Sequence, residues 1–150
     1  MKVSIKFVLL SNHILFLDGF FEFKHENKKK SPYFIYSSSP IGIGIIISEW
    51  TNPQTGEIIS SFSIVTNKAS NILKHIHNNP KIKEPRSPLL IDLNNKNIWL
   101  YENNINYLHK VSGEIEENLN YHMVNNLSGK HYTGNSIKVL KPLDQQQYLF

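Results

Sequence analysis

The hydrophobic pattern of the first half of the chain has a period of two. Residues 3–10 alternate loosely between apolar and polar, Ile14 to Leu17 form a second apolar piece, and Gly19 to Lys24 a third. Each is expected to be a strand, because successive side chains in a strand point to opposite faces. The polar run Glu26-Asn27-Lys28-Lys29-Lys30-Ser31 follows, and Pro32 then opens the apolar stretch Pro32 to Ser37. The two apolar segments around this polar run are predicted to form a hairpin. Ile41 to Ile47 is rich in β-branched residues and reads as another strand. Thr51 to Glu57 carries Asn, Pro and Gly at turn spacing, and Ile58 to Val65 is expected to return as the partner strand.

The period then changes. Ala69, Ile72, Leu73 and Ile76 fall at helical spacing behind Thr66, which is expected to cap the helix, and the Asn78-Asn79-Pro80 break is expected to end it. A loop rich in Pro and Lys leads to a short strand at Leu89 to Ile91, and Asn95 to Tyr101, with Trp99, is expected to be a second short helix. Beyond Gly113 the pattern weakens, with a strand around Tyr121 to Val124 and a polar tail. No repeat or linker interrupts the chain. The expected class is α+β, dominated by antiparallel strands.

Composition narrows the chemistry. With 150 residues, 40% hydrophobic and 19% charged, the chain has the size and balance of one globular domain. No apolar run reaches the length of a membrane span. Asn12, His13 and Asp18 interrupt the apolar start where a secretory signal needs a small-residue cleavage site, so this region reads as strand and the expected location is cytoplasmic. Cysteine is absent, which excludes disulfides, thiolate metal sites and a cysteine nucleophile from this chain. The net charge of +4 permits binding to a polyanion without demanding it. Lys28, Lys29 and Lys30 are the densest basic cluster; a solvated hairpin tip is the favoured reading, with phosphate contact as the alternative.

Three residues attract chemical interest. Glu22 shares a strand face with Phe20, so its carboxylate projects from an apolar surface, a setting suited to acid/base work. His77 stands at the end of the expected helix, where its ring can reach across a cleft. Arg86, in the next loop, offers a fixed charge and paired donors suited to phosphate. Taken alone, composition and spacing favour plainer roles: a solvent-facing edge glutamate, a histidine complementing a helix dipole and a surface arginine.

The order of short motifs adds to this. Leu17-Asp18-Gly19-Phe20-Phe21-Glu22-Phe23-Lys24 resembles the "DGFYEWK" signature of the SOS-response-associated peptidase family, whose members process abasic sites in single-stranded DNA. Pro32 to Tyr36 resembles its "PYFI" strand, and Glu49-Trp50-Thr51 with Thr55-Gly56-Glu57 its "EEW…P.TGE" hairpin. Phe62 to Thr66, Ala69, Ile76-His77 and Arg86 to Ile91 follow "FTILTT.AN…IH…RMPVIL", and Val124-Asn125-Asn126 a late "VN" element. The order holds over residues 12 to 126, with a short insertion between His77 and Arg86. In that family a cysteine exposed by removal of the initiator methionine captures the ring-opened sugar aldehyde as a thiazolidine. A glutamate in the signature and a histidine before "RMP" assist proton transfer, while an asparagine and arginines hold the DNA. The resemblance implies that Glu22 and His77 are the catalytic pair and that Phe23 and Arg86 contact DNA. It implies no cofactor and no metal.

The departures matter too. The family's "MCGR" start and its "NARxE" segment before the signature have no counterpart, so the expectation is an N-terminally truncated domain over residues 1–142, without the family's first strands, inactive alone. Phe23 replaces the usual tryptophan, keeping a ring and losing the indole donor; Ile45 and Ile47 replace a glycine and an aromatic residue. A separate N-terminal fragment could supply the cysteine as partner. Two other readings stand beside this: a non-covalent single-stranded DNA-binding module, and a remnant whose unpaired sheet edges leave it poorly folded or self-associating. Residues 143–150 read as a flexible tail in which Gln146, Leu149 and Phe150 resemble the "Q-x-x-L-F" peptide that docks on the replication sliding clamp, although three positions recur often by chance.

Overall fold

Two long antiparallel strands, β1 (Val8–Glu26) and β2 (Lys29–Thr51), organise the computed structural model, which describes residues 8–102, 104–130, 132 and 134–143. They are joined by Asn27 and Lys28, with φ of 48° and 64°, the left-handed pair of a type I′ hairpin turn. The separate strand pieces expected before Lys24 are therefore one strand as far as it is described. Its polar interruptions are bonded rather than excluded: Asn12 Nδ2 donates to the Trp99 carbonyl at 2.8 Å, and Trp99 Nε1 donates to the His13 carbonyl at 2.7 Å. The Pro32–Ser37 and Ile41–Ile47 pieces likewise merge into β2.

β2 is the centre of a five-stranded sheet. β1 runs along one side. On the other lie β3 (Ile58–Ile64), β6 (Leu90–Ile91) and β7 (Asn120–Met123), all antiparallel to β2. The loop before β3 closes as expected: Asn52 N–H donates to the Glu57 carbonyl at 2.7 Å, and Gly56 takes a φ of +73°. A separate ribbon pairs β4 (Thr66–Lys68) with β5 (Arg86–Pro88). This corrects the expected helix cap. Thr66 pairs with Pro88 in the ribbon, and α1 (Asn71–Ile76) is capped by Ser70, whose Oγ accepts from Leu73 N–H at 3.4 Å. The second short helix is a π-helical turn at Ile98–Glu102, and a third helix, α2 (Ile105–Glu116), lies where the sequence pattern shows none.

Both faces of the sheet are packed. Ile35, Ile41, Ile43 and Ile45 meet Leu73 and Ile76 of α1, with Leu90 and Leu119; Ile14 and Ile46 meet Trp99, Leu89, Ile91 and Leu108 on the opposite face. Among the described residues nothing covers β3, where all seven residues are exposed, including Phe62 at 63%. No helix among the described residues is long and apolar enough to cross a membrane. Leu143 N–H donates to the Met123 carbonyl at 2.9 Å; Gln146, Leu149 and Phe150 lie outside the described residues.

A bulge sets the facing of β1. Leu17 pairs with Ile41 but Gly19 with Tyr36, leaving Asp18 and residues 37–40 out of register. Before it, Leu15 and Leu17 point to the α1 face; after it, Phe20 does, so the parity has switched. Gly19 sits at the crossover against the neighbouring strand. A Cβ there would lie 2.4 Å from the Ile35 carbonyl oxygen and 2.6 Å from two Phe34 ring carbons. Gly19→Ala is expected to lower stability by about 1–3 kcal/mol, the range for overpacking a filled site. Urea unfolding checks this, and an unchanged midpoint would show that strand and ring yield easily.

Candidate active site

After the bulge, Glu22 falls on the same face as Phe20 and so points toward α1. The helix is anchored there by Leu73 and Ile76, which are 1% and 0% exposed. His77 is its C-cap, with its own N–H bonded to the Leu73 carbonyl at 2.6 Å. The next residue fixes the helix end to the strand. Asn78 Oδ1 accepts from His25 N–H at 2.6 Å, and Asn78 Nδ2 donates to the His25 carbonyl at 3.0 Å. The carboxamide thus mimics a strand partner along the outer side of β1, three residues beyond Glu22.

The result is a direct contact: His77 Nδ1 lies 2.8 Å from Glu22 Oε2, with both side chains about a fifth to a quarter exposed (24% and 21%). An imidazole whose Nδ1–H is held by a carboxylate presents Nε2 as its lone-pair nitrogen, the tautomer suited to accepting a proton. Partial exposure leaves room for a reacting group while limiting competition from water.

Lys24 is next on this face. Its ammonium pairs with Glu26 at 2.7 Å and donates to His75 Nε2 at 2.9 Å. The Glu26 hydrogen bond is the main reason the Lys24 amine is held above the ordinary lysine range; partial desolvation opposes it. Lys24 is therefore a fixed positive charge beside the pair.

Phe23 and Arg86 are placed elsewhere. Phe23 alternates with Glu22 and projects to the opposite face, where Lys30 Nζ lies 4.0 Å from its ring centroid. Arg86 is exposed on the β4–β5 ribbon, with Nε donating to Thr66 Oγ1 at 2.8 Å and Nη2 to the Thr66 carbonyl at 2.7 Å. Its remaining N–H groups are available to an anion. The structure thus brings Glu22 and His77 together and sets Phe23 on the other side of the strand, while Arg86 bonds to Thr66. The sequence reading passed over Asn78, which looks like part of a helix stop; a side-chain bond spanning 53 residues leaves no local signal.

The model of the SOS response associated peptidase (SRAP) family matches residues 9–130. The chain belongs to the SRAP family. A structural-genomics crystal structure of a protein from Bacteroides thetaiotaomicron is similar with a TM-score of 0.71 at 21% identity, over 89% of this chain and 57% of that one. A second, from Bordetella bronchiseptica, gives a TM-score of 0.60 at 18% identity, over 77% and 56%. These likenesses show the fold, and the SRAP chain spans little more than half the length of either protein. No curated protein matches the sequence.

Proposed function

We propose that this chain provides the acid–base half of an abasic-site-processing centre acting on single-stranded DNA. The observation that carries the proposal is the 2.8 Å contact between Glu22 and His77, within a segment resembling the family signature. In thiazolidine formation the sugar aldehyde loses its oxygen as water. One proton of that water comes from the attacking amine and one from the thiol, and both must be moved. A carboxyl and an imidazole in hydrogen-bonding contact suit this transfer: His77 Nε2 exchanges the proton while Glu22 orients the ring and balances the imidazolium charge. The thiol is not among these 150 residues, which include no cysteine, so it must come from outside them.

The test is to supply a cysteine-bearing N-terminal fragment and follow crosslinking to an abasic-site oligonucleotide. Glu22→Gln keeps the size and removes the negative charge that orients His77 and balances its imidazolium, and is expected to slow the reaction by ~10²–10⁴-fold, the usual worth of general acid–base catalysis, with little change in DNA affinity. His77→Ala is expected to slow it similarly and to flatten its pH profile. Weaker DNA binding with an unchanged rate would assign the pair a structural role. A second reading, non-covalent binding of single strands, draws on the Phe23–Lys30 surface and exposed Arg86. It is favoured if strands bind in a salt-dependent way and no fragment restores crosslinking.

A further inference from the structure

Beside the hairpin tip, on the side of β2 away from β1, lies a cleft of about 400 Å³ whose polar lining includes Lys29, Lys30, Ser31, Asn125 and Asn126. We infer that it is a phosphate-binding site, occupied by a backbone phosphate of a single-stranded nucleic acid; this rests on the DNA reading above.

The first argument is charge. Among the described residues no carboxylate lines the cleft. Glu26 is the register partner of Lys29, but its carboxylate is taken by Lys24 at 2.7 Å, and among the described residues neither Lys29 nor Lys30 has an acidic partner. The two lysines border the mouth from opposite faces of β2, Lys30 from the Phe23 side, and with the nearest cross-strand acid already engaged they leave it net positive. The second argument is chemistry. Asn125 and Asn126 bring carboxamide donors, and Ser31 a hydroxyl, so that an anion entering beside the lysines meets neutral donors as well. The third is rigidity. Val124 N–H donates to the Pro32 carbonyl at 3.0 Å, and Leu143 N–H to the Met123 carbonyl at 2.9 Å, so the chain leading into Asn125 and Asn126 and the chain at Leu143 are both tied to the sheet. Finally, Lys30 also lies over the Phe23 ring, which sets an aromatic surface beside the cationic one. Stacking surface and cation together are the usual means of holding a single strand without reading its sequence. The cleft lies about two strand spacings, ~10 Å, across the sheet from β1, the strand that carries Glu22.

The same chemistry would hold inorganic phosphate or a mononucleotide, so the experiment has three probes. Backbone and side-chain amide resonances of the ¹⁵N-labelled chain are followed while inorganic phosphate, a deoxynucleoside monophosphate or a short oligothymidylate is added. In parallel, oligothymidylate affinity is measured against salt for the wild type, for the Lys29→Gln/Lys30→Gln double variant, and for Lys96→Gln/Lys110→Gln, two exposed lysines outside the cleft, as the charge-matched control. The expected result is movement of the Asn125 and Asn126 amides with the oligonucleotide. The salt slope of the double variant should fall by about 1.4, two contacts at about 0.7 each, and that of the control should hold. An oligonucleotide that binds with unmoved asparagines and an unchanged slope overturns the cleft and leaves the DNA reading standing. Asparagine shifts with phosphate and monophosphate but no binding of the oligonucleotide keep the anion site and overturn its nucleic-acid occupant. No shift with any probe overturns the site.

Discussion

Mixed with single-stranded DNA that carries an abasic site, this chain on its own is expected to leave no protein-bound band on a denaturing gel. Closing a thiazolidine requires a thiol, and none of the 150 residues provides one. Lysine is the remaining route to the aldehyde, through an imine. The lysine nearest Glu22 along its strand face is Lys24, and its amine is held protonated by Glu26, which removes the lone pair that would attack. Any imine formed at a more exposed lysine reverts by hydrolysis unless it is reduced, so the assay must omit borohydride. A shifted band that survives denaturation without a reductant would sink the claim and point to a nucleophile other than sulfur. Adding a cysteine-bearing fragment separates a missing thiol from a disabled proton-transfer pair: only the first defect is repaired by it.

Replacing Glu116 by alanine is expected to cost more stability than any other single change considered, about 3–5 kcal/mol, from two buried groups left without their acceptor at about 1–3 kcal/mol each together with the cavity left behind. Glu116 is fully buried at the end of α2. Its Oε2 accepts from Ser70 N–H at 2.7 Å, and its Oε1 from the Ser87 hydroxyl. Ser70 caps α1, the helix that carries His77, and Ser87 adjoins Arg86 in β5. One carboxyl therefore ties α2, the start of α1 and the ribbon together. Alanine would leave the Ser70 N–H and the Ser87 hydroxyl without their acceptor and open a cavity beside them. At roughly 2–4 °C per kcal/mol for a chain of this size, the melting temperature should fall by about 10 °C. A loss within 2 °C in a thermal melt would show that water or a neighbouring group replaces the carboxyl.

The same residue shows where sequence reading stops. Glu114 to Asn118 reads as a solvated acidic run, yet Glu116 is buried because two serines, 46 and 29 residues away, meet it. The inner face of α2 includes Ser112, whose Oγ accepts from Leu90 N–H at 2.9 Å, so half of the buried positions on that helix are polar and the helical period is masked. The hairpins, by contrast, were legible because their determinants are local: Asn27-Lys28 in the left-handed region, and Asn52 with Gly56 closing the second loop. The core positions of α1 were legible for the same reason, while its cap was not, since Thr66 and Ser70 are both favoured capping types and the β4–β5 pairing decides between them. The pairing of Glu22 with His77 is 55 residues apart in sequence and came within reach through motif order rather than spacing.

The bulge at Asp18 has a consequence for how β1 can vary. Beyond it the strand carries two chemistries on alternating residues: Glu22 and Lys24 toward α1, Phe21 and Phe23 toward the other side. Which chemistry meets which partner is a matter of odd and even counting from the bulge. A change of two residues between Asp18 and the hairpin tip would slide each set along its own face. A change of one would exchange the faces, turning phenyl rings onto His77 and a carboxylate toward Lys30. The strand therefore tolerates length changes only in pairs, and the single unpaired residue at Asp18 fixes which set faces the helix.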